Sequence, residues 1–306
     1  MIDLHTHSLF SDGTDTPAEL AQKAHDLGLS AIALTDHDTT DSHEEMASAC
    51  RDHGIELVPG VEISLHEDQI PKSGPEGGQR NVHVLAYFVP LESNHPVQQQ
   101  LALLRDDRDA RNRALVSLLQ ELGFEKLTFE YVTTLARSES SIGRPHFAKA
   151  MFALHPEIVG EESDQGWAKL FNDWLGSEGR AYLPKTSITI SDFVEAAKGS
   201  GTLFSIAHPL LNYLDGAETP STIEATMPRV MNSLRERGFV GIEAHYGGTN
   251  ATTRAHMVKL TRDAGMIPTG GSDYHGSVKA EVSLGTGRAG DLAVPNEILD
   301  ELKAAR

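Results

Sequence analysis

Through the first third of the chain, short apolar runs alternate with stretches whose apolar residues recur every three or four positions. Ile2 to Thr6 reads as a strand. Thr16-Pro17-Ala18-Glu19 then carries a helix start, with Thr as N-cap, Pro at the first position and Glu three residues after the cap. Leu20, Ala24 and Leu27 follow at helical spacing, and Gly28 is a stop. Ala31 to Leu34 is a continuous apolar run, the signature of a strand covered on both faces. A helix is predicted from Ser42 to His53, ended by Gly54. Ile55 to Val58 with Val61 to Leu65 forms a third strand region, and Val82 to Val89 a fourth. The final third resumes the rhythm. Thr202 to Ala207 is a strand, Pro228 to Arg237 a helix stopped by Gly238, and Phe239 to Ala244 a strand. Asn250 to Ala264 is a helix stopped by Gly265, and Met266 to Thr269 the last strand. Strands alternating with helices predict a parallel α/β fold. About seven strands suit a closed or nearly closed barrel better than a small open sheet, with a doubly wound sheet as the alternative.

The middle breaks the pattern. Val97 to Leu122 is one long amphipathic helix rich in Arg and Asp, and further helices are predicted around Phe147 to Leu154 and Trp167 to Leu175. No strong strand is expected before Leu203. The chain therefore divides into a barrel, residues 1–94 and 186–306, and a helical insertion, residues 95–185, expected to cover one face and the active site. Pro71 to Arg80 reads as an exposed loop.

Composition narrows the chemistry. The chain has 306 residues, with 39% apolar and 23% charged, as in ordinary globular proteins. Lys and Arg total 26 against 44 Asp and Glu, a formal charge of −18. That balance argues against a broad basic surface for long nucleic acid, although metals or a few arginines can reverse the field locally around a phosphate. A single cysteine, Cys50, excludes an internal disulfide framework and a thiolate zinc cluster. No apolar run of about 18 residues predicts a membrane span. The first residues lack a basic and apolar leader, so a cytoplasmic location is expected. No obligate protein partner is evident. The anomaly is histidine, of which there are 15.

Their placement is the strongest signal. His5 and His7 lie two apart on a strand and so point the same way. Asp12 lies just beyond. Asp36-His37-Asp38 ends strand two, Glu62 lies in strand three and His83 in strand four. His208 follows strand five, Glu243 and His245 end strand six, and Asp273 and His275 follow strand seven. In a parallel barrel the carboxyl ends share one rim, where such enzymes build their sites. Singly, each has an ordinary reading as a turn, a cap or the end of a strand; jointly they predict a metal centre. Imidazole with carboxylate and no thiolate suits zinc, manganese or iron. So many ligands imply two or three divalent ions, with Glu62 bridging a pair. Clustered ions suit phosphate-ester hydrolysis, because they bind phosphoryl oxygens, acidify water and neutralise developing charge. His25, His43, His53, His66, His95, His155 and His256 are read as solvated or structural residues on helices or loops.

The segments Asp3-Leu4-His5-Thr6-His7-Ser8, Ser11-Asp12-Gly13, Leu34-Thr35-Asp36-His37-Asp38, Pro59-Gly60-Val61-Glu62, Val82-His83-Val84-Leu85, Ala207-His208-Pro209 and Gly271-Ser272-Asp273-Tyr274-His275 resemble the PHP (polymerase and histidinol phosphatase) superfamily of phosphoesterases. The resemblance spans Asp3 to His275, in the family's order. It implies a distorted seven-stranded barrel with a trinuclear metal centre. His5, His7, Glu62 and Asp273 would hold one ion, Glu62, His83 and His208 a second, and Asp12, His37 and His275 a third. Ser141-Ile142-Gly143-Arg144-Pro145-His146-Phe147-Ala148 and Arg180-Ala181-Tyr182-Leu183-Pro184-Lys185 resemble the TrpH-like group, whose members include 3′,5′-bisphosphate nucleotide phosphatases and 5′-to-3′ exoribonucleases. Arg144, His146 and Lys185 are chemically suited to clamp a phosphate that is not cleaved. The expected reaction is hydrolysis of a phosphomonoester of a nucleotide, with His245 and Asp36 as candidate catalytic groups near the rim. Exonucleolytic trimming of short RNA is the alternative within hydrolysis, and a non-catalytic metal-binding accessory module the alternative outside it.

Overall fold

The computed structural model describes the chain except for residues 73–79, 137–141, 177, 184–187 and 215–217. Seven strands form one sheet in chain order: β1 (Ile2–Thr6), β2 (Ala31–Leu34), β3 (Glu56–Glu67), β4 (Arg80–Tyr87), β5 (Leu203–Ile206), β6 (Gly241–Tyr246) and β7 (Ile267–Gly271). The ends of the sheet nearly meet. Asp273 N donates to His5 O and His7 N to Tyr274 O, both at 2.9 Å, so the chain after β7 pairs with the end of β1. The nearly closed seven-stranded barrel expected from the apolar rhythm is therefore present.

One expectation fails. The sheet is not wholly parallel, because β4 runs antiparallel to both β3 and β5. The reason is the β3–β4 connection. A parallel return needs a crossover of a dozen or more residues, usually through a helix. Here the link, residues 68–79, is at the lower limit of that length and contains no helix among its described residues. The reversal has a functional consequence. Ser64 near the far end of β3 lies opposite His83 near the start of β4, so an amino-terminal position on β4 reaches the rim that the parallel strands reach at their carboxyl ends. The third strand is also one element of 12 residues, not two pieces.

Helices cover the sheet. α1 (Pro17–Asp26) begins as the sequence predicts: Thr16 Oγ1 accepts from Glu19 N at 3.1 Å, and Thr16 N donates to Glu19 Oε2 at 2.8 Å. α2 (His43–His53) ends at Gly54, whose φ of 68° is the left-handed conformation that glycine tolerates. Leu20, Met46 and Cys50 of these helices bury Ile32 and Leu34 of β2. The predicted long helix is α3 (Pro96–Glu121), followed by α4 (Phe129–Thr134), α5 (Arg144–Leu154), α6 (Pro156–Val159) and α7 (Asp164–Leu170), which runs on as a π-helix over Phe171–Leu175. α8 (Ile190–Ala196) and α9 (Pro209–Tyr213) flank β5 in sequence. α10 (Pro220–Glu236) starts earlier than expected, because Thr219 caps it and Pro228 is accommodated inside it. α11 (Ala251–Asp263) and α12 (Glu297–Ala305) complete the chain.

Two cores matter for the site. Leu4, Val58, Leu85 and Tyr87 form a core with Ile298, Leu299 and Leu302 of α12. The insertion has its own core around Phe124, Phe147, Met151, Leu170 and Trp174. α3 joins the two parts: Val97, Leu101 and Leu104 pack on the barrel, whereas Leu115, Val116 and Leu119 pack in the insertion.

Candidate metal centre

Glu62 is the hub. It is 1% exposed, and both of its oxygens face imidazoles. Oε2 lies 3.2 Å from His5 Nε2, 3.1 Å from His7 Nε2 and 3.3 Å from His37 Nδ1. Oε1 lies 3.0 Å from His83 Nδ1 and 2.9 Å from His208 Nε2. Asp273 Oδ1 lies 3.5 Å from both His5 Nε2 and His7 Nε2. Asp12 faces His275 Nε2 at 3.3 Å and His37 Nε2 at 3.6 Å. Three groups have ligand atoms close enough to share an ion: His5, His7, Glu62 and Asp273; His37, Glu62 and His83; and His7, Asp12, His37 and His275. All nine residues singled out from the sequence therefore converge. The grouping differs in detail, since His7 and His37 are each common to two groups and His208 joins through Glu62 alone.

Backbone irregularity makes this convergence possible. The β1–β2 register slips between Asp3 and Thr6, where Leu4 points into the core and His5 and His7 into the centre. Gly271 permits close approach of β7: a Cβ there would lie 2.4 Å from His5 N and 2.5 Å from His5 Cβ. Asp38, His208 and Asp273 adopt positive φ values of 56°, 25° and 58° without being glycine. Each is pinned through its backbone N–H, which donates to Glu62 O at 2.9 Å, Glu243 Oε2 at 2.5 Å and His5 O at 2.9 Å, respectively. Strain held by surrounding bonds is common where side chains must be aimed.

The donor set fits divalent cations. His5 Nε2, His7 Nε2 and His37 Nδ1, the three ring nitrogens that face Glu62 Oε2, are buried and without a hydrogen bond. Buried polar atoms are rarely left in that state unless another ligand satisfies them. Electrostatics agree. Burial alone would lower the His7 pKa, but Asp273, Glu62 and Asp12 outweigh it and raise it to about 9. Burial likewise opposes the high pKa of His5, which Glu243, Glu62 and Asp273 impose. Burial would raise the carboxyls of Glu62, Asp273 and Asp12, yet the facing histidines hold all three well below the usual carboxylate range.

Behind the ligands stand Glu243, read from the sequence only as one of the rim carboxylates, and Tyr246 and Lys279, which had no reading. Glu243 Oε1 lies 2.7 Å from His5 Nδ1. Tyr246 OH and Lys279 Nζ both donate to Asp273 Oδ2, at 3.1 and 2.8 Å, leaving Oδ1 toward the histidines. No spacing rule flags Tyr246, because the β6–β7 register shifts between Glu243 and His245. That bulge also corrects one candidate. His245 is turned toward α11, where burial and then Arg254 and Arg262 depress its pKa to about 4. Tyr246 takes the inward position that simple alternation gives to His245. Asp36 is corrected too. Its carboxylate accepts from Ser8 N, Ser8 Oγ, Ser11 Oγ and Ser42 Oγ, each at 2.7 Å, so it braces the loop after His7.

A cleft of roughly 550 Å³ opens from Asp12, His37 and His83 toward the insertion. Arg108 and Arg111 of α3, Arg144 of α5, Asn81, Phe171 and Tyr182 line it. Arg108 pairs with Asp38, and Arg111 Nη1 lies 2.8 Å from Asp107 Oδ2. Arg144 lines the cleft, its Nη1 donating to Leu175 O at 3.2 Å. His146 does not line it. Its Nδ1 accepts from Gly143 N at 3.1 Å and caps α5, a use that the N-terminal position of the residue explains. Lys185 lies outside the described residues. Arg108 and Arg111 were the missed pair; their three-residue spacing on an amphipathic helix was the available signal. Among the histidines set aside as structural, His43 Nε2 accepts from Gly60 N, and His66 lies in β3 instead of a helix or loop. No helix among the described residues is long and apolar enough to cross a membrane.

Comparisons with known proteins agree with this architecture. The chain is 27% identical to a 5′-3′ exoribonuclease of Haemophilus influenzae over 273 residues, covering 89% of each. It is 27% identical to a 3′,5′-nucleoside bisphosphate phosphatase of Chromobacterium violaceum over 276 residues, 90% of this chain and 87% of the other. A Bifidobacterium adolescentis crystal structure, of a protein classed as a metal-dependent phosphoesterase, superposes with a TM-score of 0.75 at 26% identity, covering 99% of this chain and 96% of that one. The model of the PHP domain matches residues 3–173, ahead of His208, Asp273 and His275, which the fold brings to the same place. By that match over more than half its length, the chain belongs to the PHP domain family.

Proposed function

We propose that this protein is a metal-dependent phosphoesterase that hydrolyses a phosphomonoester of a nucleotide, with a nucleoside 3′,5′-bisphosphate as the substrate class. The observation that carries the reading is a cluster of six imidazoles and three carboxylates opening directly into a cleft lined by Arg108, Arg111 and Arg144. His5, His7, Glu62 and Asp273 would hold one ion, Glu62, His83 and His208 a second, and Asp12, His37 and His275 a third. Such ions, zinc, manganese or iron, would supply Lewis-acid polarisation of the phosphoryl group and activation of water. Asp273 is kept single-faced toward the centre by Tyr246 and Lys279. Arg144, held by the carbonyl of Leu175 beside the ion-paired Arg108 and Arg111, supplies positive charge in an otherwise acidic molecule, where a phosphate that is not cleaved can set the register of the one that is. Residues 95–185, with a core of their own, act as the cover that brings these arginines over the centre. The cleft is of the size that encloses a small organic ligand.

The similarity to an exoribonuclease supports a second reading, removal of 5′ nucleotides from short RNA by the same centre. Initial rates on a nucleoside 3′,5′-bisphosphate, a nucleoside 5′-monophosphate and a 5′-phosphorylated RNA oligomer separate the two. The first reading expects the bisphosphate to be preferred in kcat/KM. Faster release of mononucleotides from the oligomer replaces it with the second. No turnover of any of the three in protein loaded with metal leaves the accessory module.

A further inference from the structure

We infer that Glu243 is a positioning residue that fixes two ligands of the centre at once, holding His5 with its Nε2 lone pair inward and His208 in its strained backbone conformation. The inference rests on the metal-centre reading above. Glu243 is 1% exposed, on β6, behind the ring of His5. Its two oxygens have different tasks. Oε1 lies 2.7 Å from His5 Nδ1, and Oε2 accepts from His208 N at 2.5 Å. The backbone amide of His208 is always a donor. A carboxylate supplies only acceptors, so once an ion takes the place of the proton on Nε2, Glu243 holds the remaining ring proton on His5 Nδ1. Nε2 is the atom that lies 3.2 Å from Glu62 Oε2 and 3.5 Å from Asp273 Oδ1, buried and without a hydrogen bond. The ring nitrogen behind a ligating imidazole commonly donates to such a carboxylate, which fixes both tautomer and orientation.

The second contact makes Glu243 more than a partner of His5. His208 sits at φ 25° and ψ 62°, immediately before Pro209, where the chain has little intrinsic preference to stay. In that pose its Nε2 lies 2.9 Å from Glu62 Oε1. One buried carboxylate thereby braces ligands on both sides of Glu62. Glutamine has nearly the same shape but cannot replace it. Its amide offers one acceptor and one donor group, whereas the site needs two acceptors. If the amide oxygen faces His208 N, the NH2 faces His5 Nδ1 and drives the ring proton to Nε2. If it faces His5, the NH2 opposes the His208 N–H.

The test uses the full chain loaded with zinc. Nitrogen-15 NMR of the His5 ring, assigned with His5→Gln, is expected to place its proton on Nδ1; a proton on Nε2 overturns the inference with no further variant needed. Glu243→Gln is then expected to weaken zinc binding about 10–100-fold, as outer partners of ligating histidines typically do. It should also move the His5 signal toward the Nε2-protonated form or speed amide exchange at His208. Wild-type stoichiometry and affinity in Glu243→Gln, with unchanged His5 and His208 signals, sinks the inference and leaves the metal centre standing. A wild-type protein that takes up no zinc, manganese or iron sinks both. Should Glu243→Gln fail to fold, the wild-type ring signal alone decides.

Discussion

Replacing Glu62 by glutamine should cost the protein two ions, whereas replacing Asp12 by asparagine should cost one. The difference follows from geometry. Glu62 presents Oε2 to His5, His7 and His37 and Oε1 to His83 and His208, so it belongs to two of the three ligand groups. Asp12 belongs to one. Glutamine preserves the volume, but its NH2 points hydrogens at nitrogens that must offer lone pairs. An ion present at a hundred times its Kd stabilises the fold by about 2.7 kcal/mol. Three ions then add about 8 kcal/mol to the wild type, two about 5 to Asp12→Asn, and one about 3 to Glu62→Gln. At roughly 2 °C per kcal/mol for a chain of this size, the metal-induced rise in Tm falls from about 16 °C to about 11 °C and about 5 °C. Elemental analysis after gel filtration and thermal scans with and without chelator measure both quantities. Equal ion loss and equal Tm response in the two variants would refute the bridging role.

Arg144→Ala should leave the metal content intact and raise KM for a nucleoside 3′,5′-bisphosphate about 10-fold or more, the worth of a charge-assisted hydrogen bond, with kcat little changed; steady-state kinetics on metal-loaded protein measure it. Gly271→Ala should destabilise the fold by about 1–3 kcal/mol or more and lower metal content, because the new methyl group would collide with the backbone of His5; denaturant unfolding of the chelated protein separates the two losses. A buried pair away from the centre should govern acid stability. Arg237 Nη1 and Nη2 donate to Glu67 Oε1 and Oε2 at 2.8 and 2.9 Å, and Tyr213 OH adds a third bond at 2.5 Å. Burial alone would raise the Glu67 pKa, but these donors hold it below its ordinary value. Its contribution is thus present above the unfolded pKa of about 4.3 and lost as pH falls through the lower folded value. Glu67→Gln should cost about 3–5 kcal/mol at pH 7. The difference from wild type should shrink below about pH 4 in thermal scans.

The local signals in the sequence were reliable where local energetics decide. The Thr16–Glu19 capping box, the glycine stop at Gly54 and the continuous apolar run Ala31 to Leu34 each correspond to the observed element. The nine histidines and carboxylates were legible because a period-two strand and a shared rim leave few other places for them, and all nine converge. What failed were inferences that needed the register or the use of each polar atom. His245 and Tyr246 exchange places through one bulge in β6. Asp36 and His146 have the right chemistry, but their acceptors are spent on serines and on a helix end.

By itself, the sequence determined the seven strands, the interrupting helical segment and the set of side chains that meet at Glu62, since periodicity, capping and residue type are properties of a few neighbouring positions. Only the tertiary structure decided that β4 runs backwards, that Arg108 and Arg111 turn into the cleft, and that Glu243 stands behind His5 while reaching His208. Those outcomes depend on strand pairing and on contacts distant in the chain, from 35 positions for His208 and Glu243 to 238 for His5 and Glu243. There a one-residue slip reverses the direction of a side chain, and no local pattern records it.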